Sequence, residues 1–191
     1  MPPESRSRPA TDRFFFAVFP APDSAARIAA LAQTLRRQHG LRGKPLAAAR
    51  LHVTLHHLGD YAGLPPTLVA SAEAAAARVN LPAFDVAFDS ASSFAGRSRQ
   101  RPLVLRCKET DMASLWALQR MLGEGMAATG LSRHVERTFV PHVTLAYDDK
   151  LLTPTPIERI GWTVRDFVLV RSLIGRGEYR ALGRWPLFEN P

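Results

Sequence analysis

"LHVTL", residues 51–55, and "PHVTL", residues 141–145, write His-Val-Thr-Leu twice in a chain of 191 residues, once in each half. Each copy reads as part of a strand, in which alternate side chains share a face. His52 and Thr54 therefore point one way while Leu51, Val53 and Leu55 point the other, and His142 and Thr144 oppose Val143 and Leu145 in the same manner. The apolar face of each strand belongs to a core. If the two strands face one another across a groove, two imidazoles and two hydroxyls converge on one small volume.

The segments around the repeats supply the frame. "RFFFAVF" (13–19) is a buried strand closed by Pro20 and Pro22, followed by a helix that Asp23 can cap, with Ile28, Leu31, Ala32 and Leu35 on one face and Gly40 at its end. A second helix is expected over 65–80, opened by two prolines and rich in alanine. "AFDVAFDSASSF" and "RPLVLRC" read as a strand pair across the loop "AGRSRQ". From Asp111, a good N-cap, Leu115, Leu118, Leu122 and Met126 mark a third helix ending near Gly130. After the second motif come two long strands, "WTVRDFVLVRSLI" (162–174) and "GEYRALGRWPLF" (177–188), joined by a glycine-containing turn. Short links between neighbouring strands point to an α+β fold with antiparallel sheets rather than a doubly wound parallel one. Residues 1–12 read as a loose polar tail and 13–191 as one bilobal domain.

Composition narrows the function without choosing it. With 46% apolar residues the chain can bury a substantial core. Its net charge of +8 rests on 25 basic residues, of which 22 are arginine, a residue suited to bidentate contact with phosphate. The same bias follows from GC-rich coding, so charge alone does not decide for RNA. One cysteine, Cys107, excludes an intramolecular disulfide framework and a multi-cysteine metal site and fits a reducing cytoplasm. The apolar run near the N-terminus is too short for a signal peptide or a membrane span, no protein partner is evident, and no glycine-rich nucleotide loop supports ATP-dependent chemistry.

The doubled His-x-Thr suits a phosphodiester. One imidazole can be neutral and act as base while the other is charged and acts as acid, because the group titrates near neutral pH. Threonine hydroxyls can donate to phosphate oxygens as charge develops there. No cofactor is implied, and two histidines without carboxylate partners make a poor metal site, so the expected chemistry is metal-independent.

"RFFFAVFP", "GKPLAAARLHVTLHHLGD", "FVPHVTLAY" and "WTVRDFVLVRSL", in that order, resemble the two-histidine phosphoesterases, in particular the 2',5' RNA ligase and RNA 2',3'-cyclic phosphodiesterase family. The resemblance implies a bilobal, pseudo-symmetric fold with antiparallel sheets flanked by helices around a central cleft. It makes His52 and His142 the catalytic pair, with Thr54 and Thr144 on the substrate. It also implies hydrolysis of RNA 2',3'-cyclic phosphate ends to 2'-phosphates, with His142 as base and His52 as acid, the roles exchanging for 2',5' ligation. Other readings are a phosphodiesterase acting on another small nucleotide, such as a 2',5'-linked oligonucleotide or an ADP-ribose cyclic phosphate, and an RNA-binding module of the same fold.

Several bacterial relatives carry an arginine five residues after the second histidine, where this chain has Tyr147. By alternation Tyr147 falls on the face opposite Thr144, so a bulge would be needed to turn it inward, as the resemblance favours. Arg97, Arg99, Arg101 and Arg137 are candidates to replace the missing charge. Strict alternation also puts His56 on the cleft face, as a candidate substrate contact, and His57 on the core face. Phe14, Phe15 and Phe16 read as core, with base stacking as the alternative.

Overall fold

The computed structural model describes residues 9–95, 100–107 and 112–189. Chain order runs β1 (Asp12–Val18), α1 (Pro22–Gln38), β2 (Val53–Tyr61), α2 (Pro66–Ala76), β3 (Phe84–Ser93), β4 (Arg101–Arg106), α3 (Ala113–Ala128), β5 (Val143–Asp148), β6 (Thr155–Val164), β7 (Asp166–Leu173) and β8 (Glu178–Pro186). Two four-stranded antiparallel sheets result, in the orders β2-β1-β7-β8 and β5-β4-β3-β6. Each motif strand is the edge of its sheet, and each pairs with a strand that supplies a run of buried apolar residues. The fold is α+β, as the order of elements predicts.

Both sheets feed one core. Phe14, Phe16, Val18, Val53 and Leu55 from the first sheet and Phe88, Leu103, Leu105, Val143 and Leu145 from the second belong to a single buried cluster that also takes in Ile28 and Leu35 of α1 and Leu115, Leu118, Leu122 and Met126 of α3. The expected apolar stripes of both helices are therefore the packed faces. Helix α1 docks on the second sheet, where Ser24 Oγ donates to the Gly161 carbonyl at 2.8 Å. Helices α2 and α3 touch so closely that a Cβ on Gly125 would lie 2.6 Å from the Ala75 carbonyl oxygen.

Three local expectations change. The region from 162 to 174 is two strands, not one: β6 pairs with β3 in the second sheet and β7 with β1 in the first. The chain crosses between sheets at Arg165, whose carbonyl accepts from Leu187 N–H at 2.8 Å. Apolar residues lie on both sides of the charged pair Arg165–Asp166, with no glycine or proline at the crossing to signal a break. Helix α1 starts at Pro22 rather than behind a capping Asp23, with no side-chain cap; proline preset for a first turn takes that position and Asp23 sits in the first turn. Strand β1 begins at Asp12, which is buried because its carboxylate takes Arg171 Nε at 2.5 Å and Gly63 N–H at 3.0 Å. The capping role read for Asp111 lies outside the described residues.

Among the described residues no helix is long and apolar enough to cross a membrane.

Candidate active site

The two motifs fold alike down to single atoms. His52 and His142 stand one residue ahead of β2 and β5, and each ring Nδ1 lies 2.7 Å from the carbonyl oxygen two residues earlier, that of Arg50 or Val140. A carbonyl only accepts, so Nδ1 carries the proton in the neutral ring and Nε2 is left as the reactive nitrogen. Both rings are half-buried, as are Thr54 and Thr144, whose hydroxyls have no hydrogen-bond partner among the described residues. Each lobe thus presents one Nε2 and one hydroxyl.

The surroundings are less alike. His52 lies in an aromatic box: it stacks on Phe15 at 4.9 Å between ring centroids and 26° between planes, with Phe19 at 5.8 Å and the edge of Tyr179 at 5.5 Å. Burial pushes its pKa down to about 4, aided by the positive fields of His142 and Arg50, while the bond to the Arg50 carbonyl opposes the shift. His142 meets one aromatic ring, Phe94, edge-on at 4.8 Å, and burial lowers its pKa as well, with Arg106 contributing. The influence of His142 on His52 brings the two rings into one electrostatic neighbourhood. Both shifts favour the neutral imidazole.

A β-bulge shifts the pairing register after each threonine. In β2, Thr54 pairs with Ala17 and His56 with Phe16, so Leu55 is extra; in β5, Thr144 pairs with Val104 and Ala146 with Leu103, so Leu145 is extra. Two consecutive residues then face the core, and alternation resumes one step out of phase. This corrects the reading of His56 and His57. His56 is 1% exposed on the core side, its Nε2–H donating to Gln119 O at 2.8 Å and its Nδ1 accepting from Glu136 N–H at 3.1 Å, so it is a structural residue and not a cleft contact. His57 is exposed instead, 3.4 Å from Asp60. The same bulge turns Tyr147, 51% exposed, to the face of Thr144.

Two of the four arginines anticipated for the cleft can be placed, and neither is shown beside the motif residues. Arg101 donates to the Asp149 carbonyl at 2.9 Å. Arg137 lines a groove of about 800 Å³ along α3 whose lining includes His56 but none of His52, Thr54, His142 and Thr144. Arg97 and Arg99 lie outside the described residues. Among the described residues, Arg50, whose guanidinium sits 5.0 Å over the Tyr179 ring, acts on His52, and Arg106, 5.8 Å over Phe94, acts on His142, while Arg13 is paired to Asp60 at 2.7 Å. Arg13 is held above its ordinary range by that hydrogen bond, with Tyr147 and Tyr179 both near enough to add to it. Arg50 closes a 3-10 turn (Ala48–Arg50) ahead of β2, so strand alternation does not assign it a face, and Arg13 and Arg106 come from other strands. Phe15 is the one phenylalanine of its run that leaves the main core, on the reverse face of β1.

Among the described residues no three His, Cys, Asp or Glu side chains gather in an arrangement that could hold a metal ion.

Comparison with known proteins bears on this arrangement. The chain is 30% identical over 149 residues to the RNA 2',3'-cyclic phosphodiesterase of Escherichia coli K12, a match covering 76% of this chain and 80% of the relative. The crystal structure of E. coli LigT in apo form superposes with a TM-score of 0.72 at 28% identity, covering 95% of this chain and all of that one. LigT complexed with 3'-AMP gives 0.68 at 30% identity, covering 93% and 98%. The sequence profile of the 2'-5' RNA ligase superfamily matches residues 17–174, which contain both His-x-Thr motifs, and the chain belongs to that superfamily.

Proposed function

We propose that the chain hydrolyses 2',3'-cyclic phosphate ends of RNA to 2'-phosphates, using His142 and His52 as base and acid and needing no metal. The observation that carries this reading is the duplicated atomic arrangement, with two Nδ1–H groups tied to their own i−2 carbonyls and two Nε2 atoms left beside two unengaged threonine hydroxyls. The similarity to a protein named RNA 2',3'-cyclic phosphodiesterase, and to a LigT structure holding 3'-AMP, supports the substrate class.

In the proposed reaction His142 Nε2 takes a proton from water as its oxygen attacks phosphorus. The bond to the 3' oxygen breaks, and His52 Nε2–H protonates that oxygen, leaving phosphate on the 2' position. Thr54 and Thr144 donate to the non-bridging oxygens, where negative charge accumulates. His52 must be charged to act as acid, yet burial lowers its pKa to about 4. The anionic phosphodiester itself raises it, since an opposite charge beside an imidazole favours the protonated form. A ribose 5'-hydroxyl in the place of water would give 2',5' ligation with the roles kept rather than exchanged: His142 takes its proton, the bond to the 3' oxygen breaks and His52 protonates that oxygen.

The test is an RNA oligomer with a 2',3'-cyclic phosphate end, incubated in EDTA. Release of a 2'-phosphate product supports the reading. A 3'-phosphate product, or activity that chelation abolishes and a divalent metal restores, overturns it.

A further inference from the structure

We propose that a basic depression beside His52, enclosed by β1, the turn before β2 and the β7–β8 turn, is a second phosphate subsite. It takes the phosphodiester adjoining the cyclic phosphate, so the cleft selects oligonucleotide ends over cyclic mononucleotides. The inference rests on the cleft being the hydrolytic site proposed above.

The depression encloses about 480 Å³, and its lining includes Arg13, Arg50 and Arg176 but no acidic side chain. Only Arg13 shares its charge among the described residues: Nε and Nη2 bind the two carboxylate oxygens of Asp60 at 2.7 Å each, and Nη1 is not part of that pair. Neither Arg50 nor Arg176 forms an ion pair among the described residues, and the Arg50 Nε–H is buried without a hydrogen-bond partner. A buried guanidinium donor without an acceptor is costly unless an oxygen meets it, and phosphate is the ligand whose planar pairs of oxygens match the arginine fork. Beside the cations, Ile174 is 42% exposed and offers an apolar ledge for a ribose or base.

The depression connects with the catalytic histidine through one ring. Tyr179 carries Arg50 over its face at 5.0 Å and meets His52 at its edge at 5.5 Å. Neighbouring phosphates of a strand are separated by a single nucleoside, so a strand end with its cyclic phosphate at His52 reaches this wall with its next phosphodiester. The turn that closes the site depends on glycine for its backbone: Gly175 and Gly177 have φ of 79° and 68°, and Gly177 lies beside Arg50, a Cβ there being 3.6 Å from Nη1. Ile174 N–H anchors the turn to the Thr11 carbonyl at 2.9 Å.

Arg176 is the residue to change, since its side chain makes no ion pair among the described residues and lies on a turn outside the histidine environment. The measurement is kcat/KM for 2',3'-cyclic AMP and for a trinucleotide ending in a 2',3'-cyclic phosphate, across a range of salt concentrations. The wild type should prefer the trinucleotide. Arg176→Ala should reduce that preference about 5-fold at low salt, lower the salt dependence by roughly one counterion and leave the mononucleotide unchanged, because one phosphate contact is lost. Arg176→Lys should restore most of the preference. Equal losses on both substrates, or equal preference in all three proteins, would overturn the subsite. Failure of the wild type on both substrates refutes the proposed function and the subsite with it, whereas turnover of both without preference refutes the subsite alone.

Discussion

Along residues 51–58 and 141–148 the two halves of the molecule repeat the same sequence of buried, half-buried and exposed positions, residue for residue. The strand edges, the carbonyl anchors of the imidazoles and the bulges after the threonines are all duplicated. What surrounds them is not. Three aromatic rings enclose His52 and one touches His142; beyond the bulge, the first strand offers His57 tied to Asp60 and the second offers Tyr147. In the proposed reaction the duplicated geometry would set two equivalent groups on one phosphate, and their unequal surroundings would make them chemically unequal, as an acid and base pair requires.

The largest test of the comparison removes each half in turn. His52→Ala and His142→Ala should each lower turnover of a cyclic-ended oligomer by about 100-fold or more, since a positioned acid or base contributes that much, with urea unfolding midpoints near that of the wild type. Near-normal turnover in either variant would end the two-histidine reading.

The bulge makes adjacent histidines differ. His56→Ala leaves the Gln119 carbonyl and the Glu136 N–H without partners inside the protein, so denaturant unfolding should show a loss of about 2 kcal/mol with turnover of the remaining folded protein retained. His57→Ala should leave stability almost unchanged. A regular strand would reverse the two results.

Titration separates the two motif rings. By NMR, His52 should titrate near 4 in the free protein and move upward when phosphate is added. Phe15→Leu, which thins the wall against which that ring stacks, should raise its pKa by about one unit, whereas Phe94→Leu should move His142 less. Stability follows the same sign. His52, His56, His134 and His142 all have folded pKa values below the ordinary 6.5, so the unfolded chain binds more protons as pH falls. Their contribution is complete above about 6.5 and is lost as pH drops toward 4. The urea midpoint should therefore decline across that window, and a midpoint that rises there would contradict the buried, neutral state of these rings.

The smallest effect concerns the asymmetry at Tyr147. Tyr147→Arg should tighten binding of cyclic-ended RNA at low salt and steepen the salt dependence by about one counterion, because it adds a phosphate contact to the second strand. Tyr147→Phe should change little. Indistinguishable affinities would remove this position from the site even though its side chain faces that way.

The legible part of this protein was whatever depends on local periodicity. Alternation around each His-x-Thr put an imidazole and a hydroxyl on one face, helical spacing gave the buried stripes of α1 and α3, and the order of elements gave antiparallel α+β sheets. These features come from backbone geometry acting over a few residues, and a single sequence carries them in full. Three matters waited for the tertiary structure. Bulges at Leu55 and Leu145 are set by register with β1 and β4, not by the strand's own residues, so the faces of His56, His57 and Tyr147 could not be read from alternation alone. The crossing at Arg165 depends on which sheet each flank pairs with, which the charged pair Arg165–Asp166 does not by itself reveal. The environment that splits the histidines, Phe15 from β1, Tyr179 from β8 and Phe94 after β3, assembles residues far apart in the chain, so the burial that lowers the pKa of His52 exists only once the sheets have closed around it.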